Sequence, residues 1–252
     1  MPVPDDDAPP ASGAGNRGPR AFEVVLGWVD DRVLSGELRV GDRLPPEREL
    51  AKLLDVSRPA VREAVRTLQA QGVVHSAVGA GATGGTTIRS VPTDALTRLL
   101  RLHVALANFA LSDVIEVRIA LERLSVRLAA THATAADLET MRRLLDAMAD
   151  PEIERVRFND CDTEFHVAVA AAAGNTLATD LTVAIRESLR LPILDRFRRL
   201  ASWDVVVAGL RRDHEAIHAA VARRDADEAE RLVEAHIRAA WRSLNPPEGS
   251  PA

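Results

Sequence analysis

The chain has 252 residues, 46% of them apolar, enough for two domains of ordinary size with a substantial core. Aromatics are only 3% and tyrosine is absent, so the core must come from Ala, Leu, Val and Ile, a composition suited to helices packed on helices. The formal charge of -5 gives no sign of nucleic-acid binding for the whole chain, although a binding patch is local. Cys161 is the sole cysteine, which excludes an intrachain disulfide, and no apolar run approaches the roughly 18 residues that span a bilayer. Residues 1–20 are rich in Pro, Gly and Ala with an acidic run at Asp5, Asp6 and Asp7. They lack the basic start and apolar stretch of a secretory signal and read as a disordered tail, so a cytoplasmic protein without membrane contact is expected.

Residues 22–35 read as a first helix with Val25, Trp28, Val29 and Val33 on one stripe and Gly36 as its stop. Residues 38–44 read as a turn region. Pro45 and Pro46 open a second helix over 47–54, where a missing amide costs nothing. Asp55 and Val56 make a tight turn, and Ser57 is a good N-cap for a third helix with Pro59 in its first turn and Gly72 at its end. Two short strands, 73–78 and 86–90, flank the glycine-rich stretch 79–85. After a linker at 91–92 the pattern is purely helical, with segments near 93–107, 112–131, 134–149, 152–173, 176–199, 203–222 and 225–243. Residues 246–252 read as a second disordered tail. The expected fold is mainly α: a winged helix-turn-helix with a small β-wing over 21–90, then an all-α bundle of about seven helices over 93–245.

The third helix carries the first functional signal. Ala60, Val61, Ala64, Val65 and Leu68 form its inner face, and Arg58, Arg62 and Arg66 lie at i, i+4 and i+8 on the opposite face. A guanidinium can make a two-pronged contact with a guanine edge or a phosphate. The N-terminal turn of a recognition helix is the part that enters the major groove. Arg58 and Arg62 are therefore the candidate base readers, with Ser57 beside them. Arg48 is placed for a phosphate, and Arg66, further along, for backbone or solvent.

The run Leu44-Pro45-Pro46-Glu47-Arg48-Glu49-Leu50-Ala51, with Ser57-Arg58-Pro59-Ala60-Val61-Arg62-Glu63-Ala64 and Gln71-Gly72-Val73-Val74, resembles the GntR superfamily of bacterial transcription regulators. The resemblance covers about residues 22 to 90. It implies operator contacts for the positions of Arg48, Arg58 and Arg62 and a minor-groove approach for a wing glycine, here Gly79. Residues 79–85 carry no charge, unlike many wings of that superfamily. They also contain a literal GxGxxG, but a strand-like Thr86-Thr87-Ile88 follows where a dinucleotide site needs a helix.

The helical half holds a second constellation. Asp162 and His166 stand at i, i+4, one helix face, a spacing that lets both reach one ion. His214-Glu215-Ala216-Ile217-His218 is a literal HExxH, the zinc-peptidase signature, in which Glu215 would be the general base. That reading leaves Asp162 and His166 idle. Asp162-Thr-Glu-Phe-His166 before Ala173-Gly174-Asn175, and Asp213-His214 with His236 further on, resemble instead the FCD ligand-sensing domain of the FadR subfamily. The resemblance implies that Asp162, His166, His214 and His236 hold one divalent ion, zinc or alternatively nickel, with positions left open for an effector carboxylate. It places Arg118 in the effector pocket as an anion clamp, with Asn175 as a second candidate effector contact. Cys161 faces away and belongs to the core. The expected function is a homodimeric DNA-binding repressor, not an enzyme, that reads a palindromic double-stranded operator and responds to a small carboxylate. The alternatives are an HExxH metallopeptidase and a metal-independent regulator holding a larger acyl-type ligand.

Overall fold

The computed structural model describes residues 20–77, 85–90 and 92–244. The expected tails, all but Arg20, and the wing glycine Gly79 lie outside the described residues. Internal contacts divide the chain into two compact units between Ser90 and Val91.

The first unit contains α1 (Ala21–Leu34), α2 (Glu47–Leu53), α3 (Arg58–Ala70), β1 (Val74–Ala77) and β2 (Gly85–Ile88). Its core is small: Val25 and Val29 of α1 meet Leu50 of α2, Val61, Ala64 and Leu68 of α3, and Val74 and Ile88 of the strands. The turn between α2 and α3 closes at Asp55, whose φ of 51° lies in the left-handed region that Asp tolerates better than most side chains. Ser57 caps α3, its hydroxyl accepting from the Ala60 amide at 3.3 Å. β1 and β2 are antiparallel, Val74 opposite Ile88 and Ala77 opposite Gly85. The segment expected as a plain turn region does more: Leu44 donates its amide to Thr86 O at 2.8 Å, Ile88 donates to Asp42 O at 2.8 Å, and Arg43 bridges Thr87. These bonds tie the segment to β2 through one isolated bridge beside the two-stranded sheet, a long-range pairing that local residue pattern does not encode.

Among its described residues the second unit is a bundle of seven helices: α4 (Pro92–Ala105), α5 (Leu111–His132), α6 (Ala135–Ala149), α7 (Arg155–Ala172), α8 (Thr176–Arg199), α9 (Trp203–Ala222) and α10 (Ala226–Leu244). α10 packs on α5 and α9, α7 on α5, α6 and α8, and α4 on α8. α7 starts at Arg155 rather than near 152 because Asp150 forms a turn there, accepting from the amides of Glu152 and Ile153. Phe158, Phe165, Met141, Met148, Ile217, Val233 and Ile237 fill the core. Phe158 meets Trp203 edge to face at 5.5 Å, and Phe197 joins the same seam. Among the described residues of this apolar bundle several charged, amide and imidazole side chains are also buried, Arg118, Glu122, Asn159, Asp162, His166, Arg186, His214 and His236, together with hydroxyls such as Ser125 and Thr182. No described helix is long and apolar enough to cross a membrane.

Candidate metal centre and nucleic-acid interface

α7 brings Asp162 and His166 to its inner face one turn apart, α9 contributes His214 and α10 contributes His236. One ligand atom from each of the four lies within 4.8 Å of the others, and all four residues are buried. His214 Nε2 is 3.0 Å from Asp162 Oδ1 and 3.2 Å from His166 Nε2, and the three imidazole centroids are 4.5 to 5.3 Å apart. A single ion bound about 2.0–2.2 Å from N and O donors needs donor atoms spread over little more than 4 Å, so the cluster has the right size and the right chemistry. The expected Asp and three His are therefore brought together, in a buried cluster consistent with a metal site.

The residues around the cluster fix its orientation. Glu122 of α5 accepts from His166 Nδ1 at 2.6 Å, which turns Nε2 of that ring toward the cluster. Asp213 of α9 accepts from His236 Nδ1 at 3.3 Å with the same effect. Carboxylates behind the imidazoles set the tautomer and raise ligand basicity. Arg186 of α8 donates to Asp162 Oδ2 at 2.9 Å, which leaves Oδ1 for the cluster, and to Glu122 Oε2 at 2.7 Å. Arg118 of α5 donates from Nε to Glu122 Oε1 at 2.7 Å. His214 Nδ1 is buried and has no partner among the described residues.

Burial decides the protonation. It lowers His166 to about 3, with the nearby Arg186 charge adding to the effect, and lowers His236 to about 4, so both rings are neutral and carry free lone pairs at neutral pH. Burial pushes Glu122 up, but Arg186, His166 and Arg118 outweigh it and hold the carboxyl well below its ordinary range. Asp162 behaves alike: burial raises it, and the His214 hydrogen bond and the Arg186 charge more than reverse this.

A narrow, partly open cavity reaches the cluster at Arg118, Asp162 and His236. Only Nε of Arg118 is hydrogen-bonded to Glu122, which leaves its terminal amino groups available to the cavity. Asn175 is placed elsewhere. Its side chain accepts from the Ala178 amide at 3.1 Å as the N-cap of α8, and it does not line this cavity. Glu122, Asp213 and Arg186 were not singled out in the sequence. The signals were there: Glu122 one turn after Arg118, and Arg186 in register with Leu189, Ile193 and Phe197 on the apolar face of α8, where an unpaired charge has no place.

The HExxH element does not assemble. His218 bonds Leu138 O at 3.2 Å from α9, away from the cluster, and Glu215 is exposed and paired with Arg142 at 2.8 Å. Burial in the core raises the Cys161 thiol, consistent with a packing role.

In the first unit Arg48, Ser57, Arg58, Arg62 and Arg66 are all exposed. Arg58, Arg62 and Arg66 face away from the buried stripe of Ala60, Val61, Ala64, Val65 and Leu68. Arg62 donates from Nε to Glu47 Oε2 at 2.8 Å, an ion pair with half-exposed partners. Such a pair is worth about 0–1 kcal/mol and gives way readily to a phosphate or a guanine.

Residues 23–83 match the family model described as bacterial regulatory proteins, gntR family, and residues 113–239 match the FCD domain. The chain is 32% identical over 207 residues to the HTH-type transcriptional regulator LutR of Bacillus subtilis, covering 81% of this chain and 92% of that one. It is 28% identical over 228 residues to the Glc operon transcriptional activator of Escherichia coli K12, covering 88% of each. Among solved structures it is similar to Streptococcus agalactiae GntR, with a TM-score of 0.56 at 26% identity, over 88% of this chain and 99% of that one.

Proposed function

This chain belongs to the GntR family of transcription regulators, in the FadR-like branch with a C-terminal FCD domain, and from that premise we propose that it binds a palindromic operator as a homodimer under the control of a small carboxylate sensed at a metal-bearing pocket. It is a DNA-binding regulator and not an enzyme. The observation that carries the sensing half is the buried set Asp162, His166, His214 and His236 at one end of a cavity that also exposes Arg118. Those four residues would hold a divalent ion, zinc or else nickel. The ion supplies an electrophilic, positively charged point for an anion. The chain's own groups do the rest: Glu122 and Asp213 orient the imidazoles, Arg186 holds Asp162 to one free oxygen, and the Arg118 guanidinium receives the effector carboxylate in two-pronged fashion.

In the first unit Arg58 and Arg62 read bases from the first turns of α3, with Ser57 beside them, while Arg48 and Arg66 hold phosphates. The effector alters operator affinity to the extent that it binds one arrangement of the dimer better than another. The intact metal set argues against a metal-independent site for a larger acyl chain. The test is a gel shift with the DNA upstream of its own gene, with and without chelator and candidate carboxylates. Retarded DNA whose amount responds to both is expected. Failure to retard that DNA at low salt would refute the reading.

A further inference from the structure

Arg118, Asp162 and His236 account for only one end of the cavity. Beyond them the wall is Ile115 of α5, Leu189, Ile193 and Phe197 of α8, and Ile237 and Trp241 of α10. Ile115, Leu189, Phe197 and Ile237 are buried, and Ile193 and Trp241 are half-buried. The one other charged lining residue, Arg196, sits at the mouth: it donates to Leu244 O at 2.8 Å and lies over the Trp241 ring at 5.8 Å. An outer hollow shares Pro192, Arg196 and Leu244 with the cavity, which places the opening there.

This polarity distribution constrains what can sit inside. A hydroxyl carried into the middle of the cavity leaves water and meets alkyl and aromatic walls, with its hydrogen bonds unmade. A methylene at the same place gains by leaving water. We propose that the effector of this regulator is a carboxylate with an apolar body, aliphatic or aromatic, rather than a polyhydroxylated acid. The carboxylate lies at Arg118, and the body runs between Ile115, Leu189, Ile193 and Ile237 toward Trp241. This rests on the reading of Arg118 and the Asp–His cluster as the carboxylate-recognising end.

The test titrates zinc-loaded full-length protein with acetate, propionate, butyrate and pentanoate, and with D-gluconate. Binding is followed by tryptophan emission and by the thermal midpoint. The dissociation constant falls about fourfold for each added methylene until the cavity is filled. Gluconate binds more weakly than pentanoate. Ile193→Asn, at a half-buried wall position, flattens this gain along the series. Constants that stay level along the series, gluconate binding tighter than pentanoate, or an undiminished series in Ile193→Asn would each overturn the apolar-body inference while the carboxylate reading stands. If none of these acids binds the zinc-loaded protein, the carboxylate reading falls and the inference with it.

Discussion

Replacing Glu122 by glutamine removes one charge and almost no volume, at the point where three donors converge. Glu122 Oε2 accepts from Arg186 at 2.7 Å and from His166 Nδ1 at 2.6 Å, and Oε1 accepts from Arg118 at 2.7 Å. A glutamine keeps one acceptor oxygen, so its amino group must face at least one of these N–H donors. Arg186 is then left with Asp162 as its anionic partner, and Arg118 loses its ion pair with Glu122. Breaking a buried pair from one side costs about 3–5 kcal/mol. In a domain of this size that lowers the thermal midpoint by about 10 °C. The same change removes the negative group behind His166 and makes the site more positive, and loss of such a partner weakens metal affinity about 10–100-fold. Calorimetry of the metal-free protein reads the first effect, and zinc competition against a chromophoric chelator at neutral pH reads the second. A Glu122→Gln protein with an unchanged midpoint and a zinc dissociation constant within about twofold of the wild type would refute the account of how the ligands are held.

Further outcomes follow from the same geometry. Arg62→Ala weakens operator binding by about 1–3 kcal/mol and relaxes specificity at one base position, while folding stability moves by less than about 0.5 kcal/mol because the Glu47 pair is exposed. Binding curves on operator variants with parallel melting curves would separate the two effects. Arg48→Ala weakens binding on all sequences alike and lowers the salt-dependence slope by about 1, measurable by repeating the titration across salt concentrations. Ser57→Ala loses the bond to the Ala60 amide and destabilises the first unit by about 1 kcal/mol in denaturant unfolding. If His236 is one of the four ligands proposed above, His236→Ala, which removes a ring held neutral by burial, lowers zinc content by elemental analysis below one per chain.

Local pattern carried the helices because apolar residues repeat at helical spacing and the caps are conventional: Ser57 before Pro59, and Gly72 at a φ of 74° after α3. The pair Asp162 and His166 of the buried cluster was visible as one turn of one helix. His214 and His236 lie on other helices, and only the resemblance to a known domain joined them to it. What escaped was whatever depends on packing between helices. Arg186 and Glu122 are 64 residues apart, and nothing local says that one guanidinium will bridge Glu122 and Asp162. The turn segment 38–44 also bonds Thr86 and Ile88 of β2, a pairing set by residues about 40 positions away. Asn175 was singled out by its motif, yet its position after Gly174 also makes it the N-cap of α8, and that is the use its side chain has.

The central claim joins a DNA-reading unit to a metal-centred carboxylate sensor in one chain. Fluorescence anisotropy of labelled upstream DNA tests it most directly, using zinc-loaded wild type and Arg118→Ala with and without a carboxylate shown to bind. The account predicts that both proteins bind the operator, and that the carboxylate shifts the wild-type affinity by about 5–150-fold but leaves Arg118→Ala unmoved. An operator affinity identical in all four conditions would contradict it.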